Sequence, residues 1–514
     1  MAPYFPPWRR RAPQPKLGLE VITKNIAQNP PCTHGPTVCF ERFFVGGKSR
    51  KFYACSACRD QKTCPFFLWT DQQQPKTSRN QWLQKIKDSK PLRSHQDEYR
   101  RLSSLENVSA EERGYCTVCN MLCLLPSDPD HPPTPRCSPE TIITPLQSSQ
   151  LQHPSQLVPL KEASKCEAQY LFSKQSVCAV LSLVQQLGAT KLLCVGVPSL
   201  HEAIKNQDTK ICATSMLLDI DGRYRSFFPP TSFVRFNMFN QHFFDGTRAK
   251  QRLVNFLTGH NKLCVVCDPP FGARVELLKE TFSFLTDLWR QANNIQDSNS
   301  ENSSLSVLLI FPYFMETQVL GNMSELTMLD YQLEYTNHQY YTSGTKKSTK
   351  KGSAVRVYIN KPNQVFKLPE SEGYKHCKPC NRWVYKNNVH CDACNGCMGK
   401  DGSGYRHCTS CGRCVKPSWK HCDKCGKCQV QDHKCSGGIA LTFAEAQKQQ
   451  IATTCHSCGK TGHKRRDCPV RKGKDEQSES SPPKKAKRRK KNVPSSATEE
   501  TSQYMNIIDD ILCK

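Results

Sequence analysis

A predicted strand over residues 262–267 ends at the tetrapeptide Asp-Pro-Pro-Phe, made of Asp268, Pro269, Pro270 and Phe271. The Asp268 carboxylate and the Pro269 carbonyl can each accept a hydrogen bond from an amino group, which favours a tetrahedral nitrogen during its attack. The two prolines restrict the backbone and so aim these acceptors, while Phe271 can stack on a flat ring. The motif therefore predicts chemistry at an exocyclic amino nitrogen.

The tetrapeptide must be positioned by a sheet. Between residues 169 and 369, strand-like runs alternate with helical stretches, which predicts an α/β domain with a parallel sheet. The predicted strands are 191–197, 215–220, 233–237, 262–267 and 306–311, with a hairpin of 329–336 and 354–359 and a helix over Val275–Ala292. Asp-Pro-Pro could be only a turn. Its place at the carboxyl end of a strand, where such sheets bind ligands, favours catalysis.

The tetrapeptide resembles the signature of methyltransferases that modify an exocyclic amino nitrogen. Four further segments extend the resemblance: Gln-Tyr-Leu-Phe at 169–172, Cys-Val-Gly at 194–196, Leu-Asp-Ile-Asp at 218–221 and Asn-Met-Phe-Asn at 237–240. With the flanking Cys/His clusters, they make residues 32–470 similar to the N6-adenosine methyltransferases of large-subunit ribosomal RNA that carry a CCHC zinc knuckle. The resemblance implies a Rossmann-like fold, S-adenosylmethionine as the methyl donor and an rRNA adenosine as the acceptor.

The resemblance also implies roles for single residues. The cofactor-binding residues would be Gln169, Tyr170, Leu171, Phe172, Gly196, Ser199, Asp219, Asn237, Met238 and Asp268. Asp219 would bind the ribose, and Asn237 and Met238 would flank the cofactor adenine. Asp268 would face the target amino group. The glycine loop departs from G-x-G-x-G, because Val-Pro-Ser follows Gly196.

The charge of the chain predicts a polyanionic partner. Its 514 residues include 72 Lys and Arg against 45 Asp and Glu, a net charge of +27. Neutralising phosphates releases counterions, so RNA is the expected partner and an anionic membrane the alternative. No apolar run approaches the roughly 18 residues that span a bilayer, which predicts an intracellular protein. In a reducing compartment the 31 cysteines are expected to bind zinc instead of forming disulfides.

Composition divides the chain into seven segments. They are a disordered start (1–28), a GRF-type zinc finger (29–75), a C2HC-type finger (110–140), the methyltransferase domain (155–370), a cysteine-rich multi-zinc region (371–440), a CCHC knuckle (453–470) and a disordered basic tail (471–514). A helix is predicted near 80–87. Seven of the eight residues 484–491 are basic, which favours nuclear import over a merely solvated run. We therefore expect the protein to be located in the nucleus or nucleolus, with the cytoplasm as a further location.

The N-terminal clusters have the spacing of zinc ligands. The first, which resembles GRF-type fingers that bind single-stranded nucleic acid, has the ligands Cys32, His34, Cys55 and Cys64, with Cys58 as an alternative. The second has Cys116, Cys119, His131 and Cys137, with Cys123 as an alternative. In the first finger, the aromatic side chains of residues 66–69 would stack on bases or would form a small core around zinc.

The motif His-Cys-x2-Cys-x2-Cys occurs three times, at 390–397, 407–414 and 421–428. It resembles the cysteine-rich domain of DHHC palmitoyltransferases, where zinc ligands interleave between neighbouring segments. That resemblance implies four sets: Cys377, Cys380, His390 and Cys397; Cys391, Cys394, His407 and Cys414; Cys408, Cys411, His421 and Cys428; Cys422, Cys425, His433 and Cys435. Palmitoyl transfer is not expected, because Lys434 replaces the second histidine and no membrane helix is predicted. We expect a scaffold that docks on the methyltransferase domain or adds RNA-binding surface.

The last zinc module is a complete CCHC knuckle, with Cys455, Cys458, His463 and Cys468 as ligands. Knuckles of this spacing bind unpaired bases, and the basic residues 464–466 could reach phosphates. Two alternatives to RNA methylation stay open. The irregular glycine loop allows a zinc-rich RNA-binding adaptor with an inactive methyltransferase domain, and the Asp-Pro-Pro-Phe loop also suits DNA or a protein glutamine amide as acceptor. Ribosome-biogenesis or RNA-processing proteins are further expected partners.

Overall fold

The computed structural model describes residues 18–44, 48–58, 63–129, 131, 137–160, 169–207, 214–259, 262–296, 305–338, 353–431 and 433. Of these residues, those up to His390 and Gly396–Ser403 belong to one compact unit, whereas Cys391–Asn395 and those from Gly404 onward belong to a second. The CCHC knuckle and the basic tail lie outside the described residues. None of the described helices combines the length and the hydropathy that crossing a bilayer requires.

The first unit begins with the N-terminal finger. Its strands are β1 (Gly18–Ile22), β2 (Pro31–Cys32), β3 (Gly35–Pro36), β4 (Val38–Phe43), β5 (Ser49–Ala54) and β6 (Phe67–Trp69). An antiparallel sheet has the order β1-β4-β5-β6, and β2 pairs with β3. The disordered start predicted over 1–28 is therefore wrong for residues 18–28. Apolar side chains recur at alternate positions in β1, where Val21 pairs with Phe40, and Ile26 is buried in a hydrophobic core.

A connecting region links this finger to the central domain. Its elements are α1 (Lys76–Asp88), α2 (His95–Glu106), β7 (Arg113–Cys116), β8 (Met121–Leu124), β9 (Ile142–Ile143), α3 (Ser148–Gln152) and α4 (Pro154–Leu157). The helix predicted near 80–87 is α1. Ser94 caps α2 by accepting a hydrogen bond from the Asp97 N–H. Leu102 and Leu105 of α2 pack with Tyr115 of β7 in one buried cluster, so α2 holds the second finger in place.

The central domain is a three-layer α/β fold. Its elements are α5 (Lys174–Gln186), β10 (Lys191–Val195), α6 (Pro198–Lys205), β11 (Thr214–Asp219), β12 (Phe233–Asn237), β13 (His242–Phe243), α7 (Gly246–Leu257), β14 (Leu263–Cys267), α8 (Val275–Ala292), β15 (Ser306–Pro312), α9 (Glu316–Asn322), β16 (Thr327–Leu333) and β17 (Val355–Ile359). The strand order is β13-β12-β11-β10-β14-β15-β17-β16. Strands β10, β11, β12, β14 and β15 are parallel, and β17 runs antiparallel to both neighbours.

This topology confirms the predicted α/β fold with a mostly parallel sheet. The bounds of β12 and α8 agree with the sequence prediction, and the other strands differ at their ends by one to three residues. All five residues of β14 are buried, as expected for a strand that is covered by helices on both faces. Strand β10 has β11, the next strand along the chain, on one side and β14 on the other. Ligands bind at such a switch point, beyond the carboxyl ends of the strands.

The first part of the cysteine-rich region packs on the central sheet. Its strands are β18 (Tyr374–Cys377), β19 (Arg382–Tyr385), β20 (His390–Cys391) and β21 (Gly396–Cys397). Asp330 of β16 is buried and accepts hydrogen bonds from the Tyr385 N–H at 2.9 Å and from Asn388 Nδ2 at 3.0 Å. The fully buried Arg356 of β17 donates to the Lys400 carbonyl at 2.8 Å. Residues 374–390 and 396–403, which belong to the first unit, thus provide the docking that was expected of this region.

The described residues of the second unit form two hairpins. They are formed by β22 (Arg406–Cys408) with β23 (Arg413–Val415) and by β24 (Trp419–Cys422) with β25 (Lys427–Val430). Gly412 and Gly426 occupy equivalent turn positions with φ of 62°, a conformation that residues with a Cβ adopt only at a cost. The sequence repeat is therefore a structural repeat.

Candidate active site and zinc centres

The active-site cleft begins where β10 and β14 end side by side. Val195 pairs with Cys267 across these parallel strands, and the Asp268 N–H donates to the Val195 carbonyl at 3.2 Å. Gly196 follows β10 with φ of 68°, and a Cβ there would lie 3.0 Å from Met238 Cε and 3.2 Å from the Asp268 carbonyl oxygen. Glycine is required by both conformation and space. A single glycine thus produces the close approach that the G-x-G-x-G pattern would have predicted.

The cleft lies beyond the ends of four parallel strands and, with its open mouth, has a volume of about 940 Å³. It is lined by Ala57, Leu160, Gln169, Tyr170, Leu171, Gly196, Pro198, Asp219, Ile220, Tyr224, Phe236, Asn237, Met238, Phe239, Asp268, Pro269, Pro270, Phe271 and Tyr335. Eight of the ten residues implied as cofactor-binding line it. The other two, Phe172 and Ser199, do not. Phe172 is buried against Tyr335, with ring centroids 5.4 Å apart, because its side chain points away from that of Leu171 in an extended segment.

Asp268 is held by a tyrosine that the sequence analysis missed. The Tyr335 hydroxyl donates to Asp268 Oδ1 at 2.9 Å, and Tyr335 is fully buried beyond the end of β16. Burial raises the pKa of Asp268 well above its usual range, and this hydrogen bond opposes the rise. Because Oδ1 is bound by Tyr335, Oδ2 is the oxygen that can face a ligand.

Aromatic rings form one wall of the cleft beside Asp268. Phe271 stacks on Tyr170 with centroids 5.7 Å apart and an interplanar angle of 30°. Tyr170 also contacts His338 at 4.5 Å, and burial lowers the pKa of His338. The Tyr170 segment is fixed by the chain after β16, because the Thr336 N–H donates to the Leu171 carbonyl at 2.8 Å. Such a wall can stack against a flat heterocycle.

The acidic end of β11 places two carboxylates in different surroundings. Asp221 is bound within the protein: it pairs with Arg223 at 2.5 Å and accepts a hydrogen bond from Gln169 Nε2 at 3.1 Å. Asp219 accepts a hydrogen bond from the Asp221 N–H at 2.8 Å and lines the cleft, which Asp221 does not. Because Asp219 lines the cleft, it is the carboxylate of this pair that vicinal hydroxyls of a ligand could reach.

The N-terminal clusters have the composition and spacing of zinc sites. The ligand atoms of Cys32, His34, Cys55 and Cys64 lie within 4.8 Å of one another, and so do those of Cys116, Cys119, His131 and Cys137. Four Cys and His ligands at such distances fit a tetrahedral Zn²⁺ ion. Cys58 remains an alternative in the first finger, because its Sγ lies 3.6 Å from His34 Nε2.

The cysteine-rich region brings together three of its four implied sets. The ligand atoms lie within 4.8 Å in Cys377, Cys380, His390 and Cys397, in Cys391, Cys394, His407 and Cys414, and in Cys408, Cys411, His421 and Cys428. Each set draws ligands from neighbouring segments, as the interleaved arrangement requires. In the fourth set Cys425 Sγ lies 3.4 Å from His433 Nε2, while Cys435 is outside the described residues, as are the knuckle ligands.

Comparison with known proteins agrees with this geometry. Residues 163–360 match the family model "Probable N6-adenine methyltransferase", and residues 454–470 match the model "Zinc knuckle". The chain is 40% identical over 466 residues to "rRNA N(6)-adenosine-methyltransferase ZCCHC4" of Homo sapiens, covering 88% of this chain and 85% of the relative. The protein of the same name from Xenopus tropicalis is 38% identical over 461 residues, covering 88% and 89%. This chain belongs to the ZCCHC4 family of rRNA N6-adenosine methyltransferases.

The cleft of this methyltransferase fits S-adenosylmethionine, the methyl donor of its class, and the bound donor would supply a sulfonium methyl group. Gly196 allows the turn after β10 to approach a ligand closely, Asp219 can bind ribose hydroxyls, and Met238 adds an apolar surface. Asp268 and Phe271 lie at the adjoining part of the same cleft. The donor and a target base can therefore be held side by side.

Paired substitutions test the interleaved zinc ligands. In the interleaved arrangement Cys380 and Cys397 share one site, so Cys380→Ser with Cys397→Ser should remove about one zinc per chain. Cys391 and Cys397 belong to two sites, so Cys391→Ser with Cys397→Ser should remove about two. Zinc is measured by mass spectrometry on the full chain. A loss of about two zinc ions from the first pair and about one from the second would show that each His-Cys-x2-Cys-x2-Cys motif binds its own ion.

Tyr335→Phe tests the orientation of Asp268. Loss of one hydrogen bond of about 1 kcal/mol should lower kcat roughly five- to tenfold. Asp268 becomes protonated, and so neutral, as the pH falls through its pKa. Removing a hydrogen bond that lowers this pKa should therefore shift the acidic limb of the kcat profile to higher pH. An unchanged profile with reduced kcat would show that Tyr335 acts only through packing.

Proposed function

We propose that this protein transfers a methyl group from S-adenosylmethionine to N6 of an adenosine in large-subunit ribosomal RNA. The observation that carries the proposal is the Asp268 carboxylate, held by Tyr335 at the cleft and flanked by the stacked rings of Phe271 and Tyr170. The printed name of the relatives supports ribosomal RNA as the substrate class, and the net charge of +27 suits a polyanion.

The chemistry required is activation of a weak nucleophile. The lone pair of adenine N6 is delocalised into the ring, so the nitrogen must become tetrahedral as it attacks the methyl group. As the N6–methyl bond forms, the bond from sulfur to methyl would break and S-adenosylhomocysteine would leave. The methylated nitrogen, now positively charged, would then release one proton to water. Asp268 Oδ2 and the Pro269 carbonyl can accept the two amino hydrogens, which stabilises the tetrahedral form. The adenine must leave its stack to reach them, and the Phe271 ring can replace the lost stacking.

The first finger offers a surface for single-stranded RNA. Phe66 is buried among the zinc ligands, whereas Phe67 and Trp69 are half-buried. Arg50 lies over the Trp69 ring at 3.9 Å, and Arg42 lies over the Phe44 ring at 5.2 Å. Alternating basic and aromatic groups of this kind bind unpaired nucleotides by phosphate contact and stacking. Phe66 therefore suits the small core around zinc, whereas Phe67 and Trp69 suit stacking on bases.

Asp268→Ala tests the catalytic role. Loss of a hydrogen-bond acceptor aimed at the transition state should reduce labelled methyl uptake by ribosomal RNA at least about 100-fold. Asp268→Asn keeps a neutral acceptor and should retain more activity than Asp268→Ala. RNA affinity should be unchanged in both. Asp287→Asn, on the exposed face of α8, is the matched control. Full activity of Asp268→Ala would refute the proposed chemistry.

The substrate is tested by mapping N6-methyladenosine in ribosomal RNA from cells with and without this protein. One large-subunit adenosine should lose its methyl group. A wild-type protein that binds RNA without any methyl uptake would identify an RNA-binding adaptor instead. Parallel assays with DNA and with protein pools distinguish the other acceptors that the Asp-Pro-Pro-Phe loop could serve.

A nuclear or nucleolar location, with ribosome-biogenesis proteins as neighbours, follows from the proposed substrate and from the basic run at 484–491. This run lies outside the described residues. A fluorescent fusion of the full chain should concentrate in the nucleolus, and deletion of 484–491 should redistribute it to the cytoplasm. Unchanged nucleolar accumulation of the deletion would mean that another segment directs import.

A further inference from the structure

The N-terminal finger reaches the cofactor cleft. Ala57 lies two residues after the zinc ligand Cys55 and lines the cleft together with Asn237 and Met238 at the end of β12. Asn237 and Met238 are the residues that would flank the cofactor adenine. A finger loop therefore forms part of the wall of a pocket that otherwise belongs to the central domain.

Two buried asparagines bind this finger to the carboxyl end of β12. Asn237 Nδ2 donates to the His34 carbonyl at 2.9 Å and to Ser56 Oγ at 3.2 Å. Asn240 Nδ2 donates to the His34 carbonyl at 3.0 Å and to the Pro36 carbonyl at 2.7 Å. His34 is itself a zinc ligand, so the fold of the zinc loop determines where these acceptors lie.

Apolar packing makes the same junction continuous. Ile26 and Val38 of the finger belong to the hydrophobic core that contains Phe236 and Phe239. Gly35 packs directly on His242, since a Cβ at Gly35 would lie 2.5 Å from His242 Cγ. The finger is thus packed into the central domain at the place where the cleft wall is formed.

We propose that the N-terminal zinc finger is a structural part of the S-adenosylmethionine site, with Ser56 and Ala57 closing the wall beside Asn237 and Met238. Cofactor binding then requires a folded and docked finger, because affinity falls with the fraction of molecules in the competent state. The inference rests on the cofactor site of the proposed function. The finger that is expected to bind RNA then also determines what fraction of the protein holds S-adenosylmethionine.

Ala57→Leu tests direct participation. The larger side chain would enter the cleft, and the affinity of the full chain for S-adenosylhomocysteine, measured by calorimetry, should fall at least about tenfold. Ala57 is not a ligand, but it packs against the cluster of Cys32, Cys55 and Cys64 as well as lining the cleft. Zinc content is therefore measured on the same sample, and a loss of affinity with full zinc content assigns the effect to the cleft. Gln72→Leu, in the exposed turn after β6, introduces the same side chain elsewhere on the finger and should bind S-adenosylhomocysteine like the wild type.

Asn240→Asp tests the docking without entering the cleft. Aspartate keeps the shape and the acceptor for the His242 N–H at 3.2 Å, but it cannot donate to the two finger carbonyls. Loss of two hydrogen bonds should raise KM for S-adenosylmethionine about tenfold, with kcat at saturation preserved. Wild-type S-adenosylhomocysteine affinity in both Ala57→Leu and Asn240→Asp would overturn the inference. A wild-type protein that binds no S-adenosylhomocysteine would refute the cofactor site itself.

Discussion

The parallel pairing of β10 with β14 is the constraint on which the active site depends. Because Val195 pairs with Cys267, the residues that follow the two strands emerge together, and Gly196 lies beneath the Asp268 carbonyl. The turn for the cofactor and the loop for the acceptor thus share one edge of the sheet. A parallel sheet is buried on both faces, so its register is determined by the core. The placement of Asp268 is consequently as rigid as the centre of the domain.

Buried polar contacts extend this rigidity to the flanking modules. Asn240 binds the finger, and the buried Arg225 approaches Glu98 of α2 at 3.4 Å. Asp330 binds Tyr385, and Arg356 binds Lys400. Leaving a buried donor or acceptor of such a contact without its partner costs about 1–3 kcal/mol, and more for a charged group. Contacts of this kind therefore fix orientation more firmly than flexible linkers would. Within the first unit the zinc modules are parts of the enzyme's framework.

Zinc takes the place of a hydrophobic core in the small modules. The cluster that contains Cys377, Val384 and Cys397 is too small to fold alone, and its stability must come from metal ligation. The interleaved sets also join each hairpin of the cysteine-rich region to the next, since the ligands of one ion lie on neighbouring segments. Such coupling allows short hairpins to be ordered with little apolar burial.

The sequence by itself determined the features that depend on local pattern. The apolar strands, α8, the Cys/His motifs and the Asp-Pro-Pro-Phe loop are all encoded by residue type and spacing within short windows. The pairing of ligands between the motifs of the cysteine-rich region was implied only by a resemblance. Only the tertiary structure brought Tyr335 to Asp268, across 67 positions, and Ala57 to the wall beside Asn237. It also showed that Asp219 lines the cleft while Asp221 is paired with Arg223, and that residues 18–22 form a strand. Contacts between distant segments depend on strand order and domain packing, and no local pattern of residues records these.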